Sequence, residues 1–567
     1  MTLRRAVATF VAILLALVGL HLFAVSGRTI YRGGPIVTLD PQNRVAEAIG
    51  IDGDRIAIVG SEADVVTWGG RWARVLDLRG HALVPGFVDA HSHFPGSGLF
   101  AVIEDLHAPP AGDVATIADV VERLRRRAAA TSTDAWVVGM GYDDSLLVEG
   151  RHPTRQDLDR VSTERPVAAV HVSGHLAAVN TRGLAALGYD ARTPDPPGGR
   201  LHRDATSGEL DGVLEERAMD PVASRVFAPA PLDAYRILRE GERRYLAAGV
   251  TTAQNGNATM EQIQSLAWAS RLGLLSLRLV LWPSTDAADA VIDGHATFPS
   301  TREEWVRIGA VKLFADGSIQ TYTAHLSAPY HIPPGSDADY RGYRRMERSE
   351  LAARIERYHE LGFQVAVHGN GDAAIDDILD AVEHAQTGHP RPDARSIVVH
   401  AQTARPDQLD RMQRLGVTPT FFVLHTYYWG DRRRDRFLGP ERAARISPAR
   451  SASRRGLRFS LHCDTPVVPM EPLRLVWSAV NRRSTSGATI GPEERIDVVT
   501  ALRAVTIDAA WQAFQEGEKG SLEAGKLADF VVLSASPLEV PPERLDEIRV
   551  LETIIDGRQA YRAPESN

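Results

Sequence analysis

Eight short apolar runs constrain what this chain can fold into more than anything else in it. They lie at 83–93, 249–254, 277–281, 309–314, 363–368, 396–400, 417–422 and 457–462. An apolar run of this length, bounded by turn signals, reads as a buried strand. Strands alternating with helical stretches are the mark of parallel βαβ units. Eight is the number that a closed (β/α)8 barrel needs. Periodicity alone leaves a doubly wound open sheet as an alternative.

The residues at the strand ends bear on that choice. The first run ends in His91-Ser92-His93. Residues two apart on a strand share a face, so the two imidazoles would converge on one point, an arrangement that suits zinc. A lone His-x-His is equally a buried pair that merely hydrogen-bonds. Further candidates recur, however: Lys312 in the fourth run, His368 and His400 ending the fifth and sixth, and Asp464 just after the eighth. The C-terminal ends of barrel strands are where such a fold builds its active site. His368 or His400 taken singly would read as a core histidine; the ordered set is far more specific.

Composition narrows the function classes. The chain has 567 residues, too many for one small domain, with 44% hydrophobic and 24% charged residues. Its net charge of -8, without a dominant basic patch, gives no support to nucleic-acid binding. The single cysteine, Cys463, excludes an internal disulfide and is expected as a small buried residue. Lysine occurs only at 312, 519 and 526 in a chain whose positive charge is otherwise arginine, so each lysine invites a reason.

Residues 1–26 read as a targeting segment. Arg4 and Arg5 precede an apolar run close to the ~20 residues that span a bilayer. It is an uncleaved anchor or an export signal, with Ala24-Val25-Ser26 as a possible cleavage site. Either way the body is expected outside the cytoplasm, periplasmic or extracellular. Residues 27–84 and 516–567 share a texture of short strands and turns. They are expected to form one small β-sandwich domain from both chain ends. Residues 85–515 then make the barrel, with 94–248 as a large insertion that shapes the pocket.

Six motifs carry a resemblance: Pro85-Gly-Phe-Val-Asp-Ala-His-Ser-His93, Val311-Lys-Leu-Phe-Ala-Asp-Gly-Ser318, Val367-His-Gly-Asn-Gly-Asp-Ala-Ala-Ile375, Val399-His-Ala-Gln402, His425-Thr-Tyr-Tyr-Trp-Gly-Asp431 and Ser460-Leu-His-Cys-Asp-Thr-Pro466. With the late stretch 520–529, they resemble the amidohydrolase superfamily, and within it the amidohydrolase-3 group that includes N-substituted formamide deformylases and YtcJ-like proteins. The resemblance runs from about residue 29 to the C-terminus. It implies a barrel with one or two divalent metals, usually zinc. His91, His93 and Asp464 would hold the first, and His368 and His400 the second. Lys312 would carry a carbon dioxide-derived carboxylate bridging both, a conversion that an always-charged arginine does not allow. The competing reading is an ordinary lysine paired with Asp316.

The implied reaction is hydrolysis of a carbon–nitrogen bond, in an amide, N-formyl compound or relative, by metal-activated water. Asp464 would act as general base and then acid. His425 and His175 are candidates to stabilise an oxyanion or bind substrate. Tyr427, Tyr428 and Trp429 would either wall the pocket or pack beneath the β domain. The expected partner is a small-molecule substrate, with membrane association through the N-terminal segment and self-association as a homo-oligomer. Ester or lactone hydrolysis, isomerisation on the same barrel, and a catalytically silent envelope-anchored binding protein are the alternatives.

Overall fold

Gly86 separates two sheets. The strand Ala82–Pro85 before it pairs with Phe530–Leu533 from the far end of the chain, and Phe87–Val88 after it pairs with Val250–Ala258. A side chain at 86 would collide with Thr251, its Cβ 2.3 Å from Oγ1, so only glycine lets the chain cross so close. The first run, expected as one strand over 83–93, is therefore two strands in different sheets. The computed structural model describes residues 27–132, 135–226 and 229–564. The expected targeting segment lies outside the described residues. Among the described residues no helix is long and apolar enough to cross a membrane.

The two chain ends meet in one eight-stranded mixed sheet that includes Arg28–Val37, Val45–Asp52, Arg55–Gly60, Phe530–Leu533, Val550–Ile555 and Arg558–Arg562. The pairing of residues 82–85 with 530–533 joins positions far apart in sequence through main-chain bonds.

The other apolar runs form parallel strands in chain order. One sheet holds Phe87–Val88, Val250–Ala258, Arg278–Pro283 and Val306–Ile308; the other holds Val311–Phe314, Val365–Gly369, Ile397–His400, Thr418–Phe421 and Ser460–Leu461. Ahead of the fourth run a separate short strand, 306–308, pairs with the third strand, and after a break the run itself pairs over 311–314 with the fifth. A parallel bridge from Ser284 to Lys312 spans the break. Gly309 lies in it, where a Cβ would stand 2.8 Å from Trp282 Cδ1. The first and last strands share no ladder among the described residues. The segments just beyond them are joined, by Asp464 N to His91 O at 3.2 Å and His93 N to Thr465 O at 2.8 Å.

Helices return the chain between these strands. Asp372–Gly388, after the fifth strand, buries Ala374, Ile375, Ile378, Leu379, Ala381, Val382 and Ala385. That spacing makes one apolar stripe, and each fully buried isoleucine or leucine contributes about 1.5–3 kcal/mol. The insertion is more than a set of loops. It builds a six-stranded sheet from Glu104–Asp105, Val137–Tyr142, Val167–His171, Leu176–Val179, Gly199–Arg203 and Leu210–Glu216, with apolar clusters of its own.

Candidate active site

The expected ligands converge from within and just after the parallel strands: Lys312, His368 and His400 lie in their strands, and His91, His93 and Asp464 follow theirs. His91 and His93 are not on a strand but in the loop after Phe87–Val88, yet their rings lie 5.2 Å apart. Asp464 Oδ1 stands 3.6 Å from His91 Nε2 and 3.5 Å from His93 Nε2. Two ligands about 2.1 Å from one ion at the tetrahedral angle are about 3.4 Å apart, so this trio fits a divalent cation. Asp464 Oδ1 is also buried without a hydrogen-bond donor. A bare carboxylate oxygen at such a position calls for a cation.

His368 and His400 stand alongside, their rings 4.5 Å apart. His400 Nε2 lies 3.9 Å from the other oxygen of Asp464. Burial first, and then the charges of Lys312 and of neighbouring histidines, push the pKa values of His91, His368 and His400 well below the usual histidine value. Neutral imidazole is the form that ligates metal. Burial raises the Asp464 carboxyl, but His93, His462 and Lys312 outweigh it and hold the pKa below the ordinary value. His400 and Asp464 have φ of 69° and 56°, a left-handed backbone that costs a non-glycine residue of order 1–3 kcal/mol.

Lys312 is fully buried, with Nζ 3.0 Å from His91 Nε2. Burial lowers its pKa to about 7, against the pull of Asp464. The pairing with Asp316 does not form. Asp316 instead accepts His368 Nδ1 at 3.2 Å and the backbone amides of Asn370, Gly371 and His325 at 2.8–3.0 Å.

The sequence profile described as the amidohydrolase family matches residues 74–561. The chain belongs to the amidohydrolase family. It is 31% identical over 533 residues to the N-substituted formamide deformylase of Arthrobacter pascens, covering 92% of this chain and 96% of that protein. YtcJ of Bacillus subtilis (strain 168) is 27% identical over 548 residues, covering 94% and 99%. Among solved structures, an uncharacterized metal-dependent hydrolase from Pyrococcus furiosus superposes with a TM-score of 0.70 at 26% identity, over 90% of this chain and all of that one.

In this amidohydrolase the two weaker candidates also sit at the cluster. His175 comes from the insertion and its ring lies 5.1 Å from that of His368. His425, in the helix Leu424–Arg432, lies 6.3 Å from His400 and 4.1 Å from Phe422, its Nδ1 buried without a partner. The three aromatics after it divide. Trp429 packs on His425 at 5.7 Å and donates Nε1–H to Asp143 of the insertion at 2.7 Å. Tyr427 packs on Trp477 at 5.6 Å. Cys463 is buried, its thiol pushed up by desolvation.

Sequence reasoning missed several members. His462 lies 5.2 Å from His91 and 5.0 Å from His400, both its nitrogens buried without partners. It stood within the quoted motif 460–466 but without an assigned role. Gln254 Oε1 accepts His91 Nδ1 at 3.1 Å and the Ser92 amide at 3.0 Å, leaving His91 Nε2 for the cluster. Asp316 holds Nδ1 of His368 at 3.2 Å, with the Asn370 side-chain amide 3.3 Å from that ring's Nε2. These are the outer partners that fix ring orientation around metal ligands.

A second histidine–carboxylate group, Asp143, Asp144 and His171, lies in the insertion. There the Ser173 amide donates to His171 Nδ1 at 3.1 Å, which leaves the ring proton on Nε2, facing Asp144 Oδ1 at 3.3 Å. Asp144 Oδ1 and His171 Nε2 are both buried without a hydrogen-bond partner.

Proposed function

We propose that this amidohydrolase cleaves carbon–nitrogen bonds in small amides or N-formyl compounds, using water activated by one or two divalent cations, zinc by donor type. The observation that carries the reading is the bare, buried Asp464 Oδ1 between two imidazole Nε2 atoms at 3.5 and 3.6 Å. The relative named as an N-substituted formamide deformylase supports the bond class.

His91, His93 and Asp464 would hold the first cation, and His368 and His400 the second. A bound cation supplies a Lewis acid that acidifies water towards pKa ~7 and polarises a carbonyl. Asp464, kept ionised, takes the water proton and returns it to the departing nitrogen; general acid–base work of this kind contributes about 10²–10⁴-fold. His425, its ring 6.3 Å from that of His400, would orient the carbonyl. Lys312, with its buried amine brought near neutrality, would react with carbon dioxide to give a carbamate, an anionic oxygen ligand for both cations. We read the two parallel sheets as halves of one (β/α)8 barrel over 85–515, and the chain-end sheet as the β-sandwich of 27–84 and 516–567. Residues 1–26 would serve as an uncleaved membrane anchor or as an export signal, and the chain would associate as a homo-oligomer.

The test is metal content and turnover on detergent-solubilised full chain made with bicarbonate present. Matched N-alkyl formamides, acetamides and esters serve as substrates. The expected result is about two metals per chain and release of amine. Asp464→Asn should lose about 10²–10⁴-fold in turnover. Turnover unchanged in that variant, or ester cleavage alone, would overturn the reading.

A further inference from the structure

One buried carboxylate beside the ligand cluster has no part in the scheme above. Glu216 ends the strand Leu210–Glu216, is fully buried, and has φ 51° and ψ -123°. A side chain other than glycine holds such a backbone only when its surroundings over-determine it. Three groups do so. His175 Nδ1 lies 2.9 Å from Oε2, Thr323 Oγ1 donates to Oε1 at 2.7 Å, and Arg345 donates to Oε2. The Glu216 amide donates to the carbonyl of His175 at 2.8 Å, so ring and backbone of His175 are both tied to one residue. Gly317 makes room for this: a Cβ there would stand 2.0 Å from Glu216 Oε1. Burial opposes the charge, but His175, Arg345 and Thr323 outweigh it and bring the carboxyl to about 2.

A carboxylate accepts and does not donate. The Nδ1 of His175 therefore carries a proton, and a ring whose one proton sits there has its lone pair at Nε2. Nε2 has no hydrogen-bond partner among the described residues, and the ring faces His368 at 5.1 Å. We propose that Glu216 is a positioning residue that locks His175 in its Nδ1–H form, so that Nε2 accepts a hydrogen bond from the N–H of the scissile amide. The substrate class narrows accordingly, to amides that keep an N–H. An N,N-disubstituted amide would bring a carbon against the lone pair. This inference rests on the amide reading of the function.

The experiment has two arms on the metal-loaded full chain. In the first, ¹⁵N-histidine-labelled protein is examined by NMR, with His175 assigned by its loss in His175→Gln. The expected result is a protonated Nδ1 in the unmodified chain and, in Glu216→Gln, loss of that single tautomer. A protonated Nε2 with a bare Nδ1 in the unmodified chain overturns the proposal without reference to activity. In the second, matched N-monosubstituted and N,N-disubstituted formamides are compared by kcat/KM. The expected preference for the N–H substrate is about 100-fold or more, falling about tenfold in Glu216→Gln. Equal rates on both overturn it. Should no amide be cleaved at all, the function reading and the substrate assignment fail together, and the first arm still decides the role of Glu216.

Discussion

Lys312 Nζ lies 3.0 Å from Nε2 of His91, and among the described residues no carboxylate oxygen comes within ion-pair distance of it. A protonated amine there would repel a cation held by the same imidazole. We therefore expect Lys312→Ala and Lys312→Arg both to lose at least one metal and most activity, although the second keeps the charge. Metal analysis beside turnover checks this. Full metal occupancy with normal rates in either variant would remove the carbamate from the scheme.

Gln254 and Asp316 hold the outward nitrogens of His91 and His368 at 3.1 and 3.2 Å. Neither is expected to touch metal. Gln254→Ala and Asp316→Asn should each weaken metal affinity about 10–100-fold while leaving the fold intact. Competition against a metal-sensitive chelator dye would read the change, with circular dichroism as the folding control. Unaltered affinity in both would mean that ring orientation here is set by packing alone.

Arg278 ties the parallel strands to the chain-end sheet. Its guanidinium is buried, donates Nε to Asp529 Oδ2 at 2.7 Å and Nη1 to the Glu304 carbonyl at 2.6 Å, and reaches Asp556. Arg278→Met leaves Asp529 buried without its cation. A loss of about 3–5 kcal/mol is expected, because an uncompensated buried charge remains. The urea midpoint should fall accordingly; a drop below 1 kcal/mol would show that water or a neighbour replaces the guanidinium.

Glu216 sets an acid limit. Its carboxyl falls from 4.5 to about 2 on folding, so the folded state binds fewer protons than the unfolded state between those values. Stability from this group is complete above about pH 4.5 and disappears as pH falls towards 2. At about 1.4 kcal/mol per pH unit, the contribution is about 3 kcal/mol. Measured on chelated protein, the stability gap between the unmodified chain and Glu216→Gln should be constant above pH 5 and shrink below 4.5. A gap that does not change with pH would remove the charge from the account.

The sequence by itself determined the order of the parallel strands and the family. An apolar run between turn signals is a local pattern, and each motif sits at the end of one run. His91, His93, Lys312, His368, His400 and Asp464 were legible for that reason. Tertiary structure decided the rest. The run 83–93 divides at Gly86 because its two halves find partners at 530–533 and 250–258, pairings that no local window contains. The fourth run pairs only over 311–314, and the short strand 306–308 ahead of it joins a different neighbour. Gln254 and Glu216 are an ordinary glutamine and glutamate until folding brings them to histidines 163 and 41 residues away. His462 was visible but mute, since a histidine acquires a role only from what surrounds its two nitrogens. Local patterning specifies which segments form strands; the convergence of their ends specifies which side chains share one small volume, and the chemistry depends on that volume.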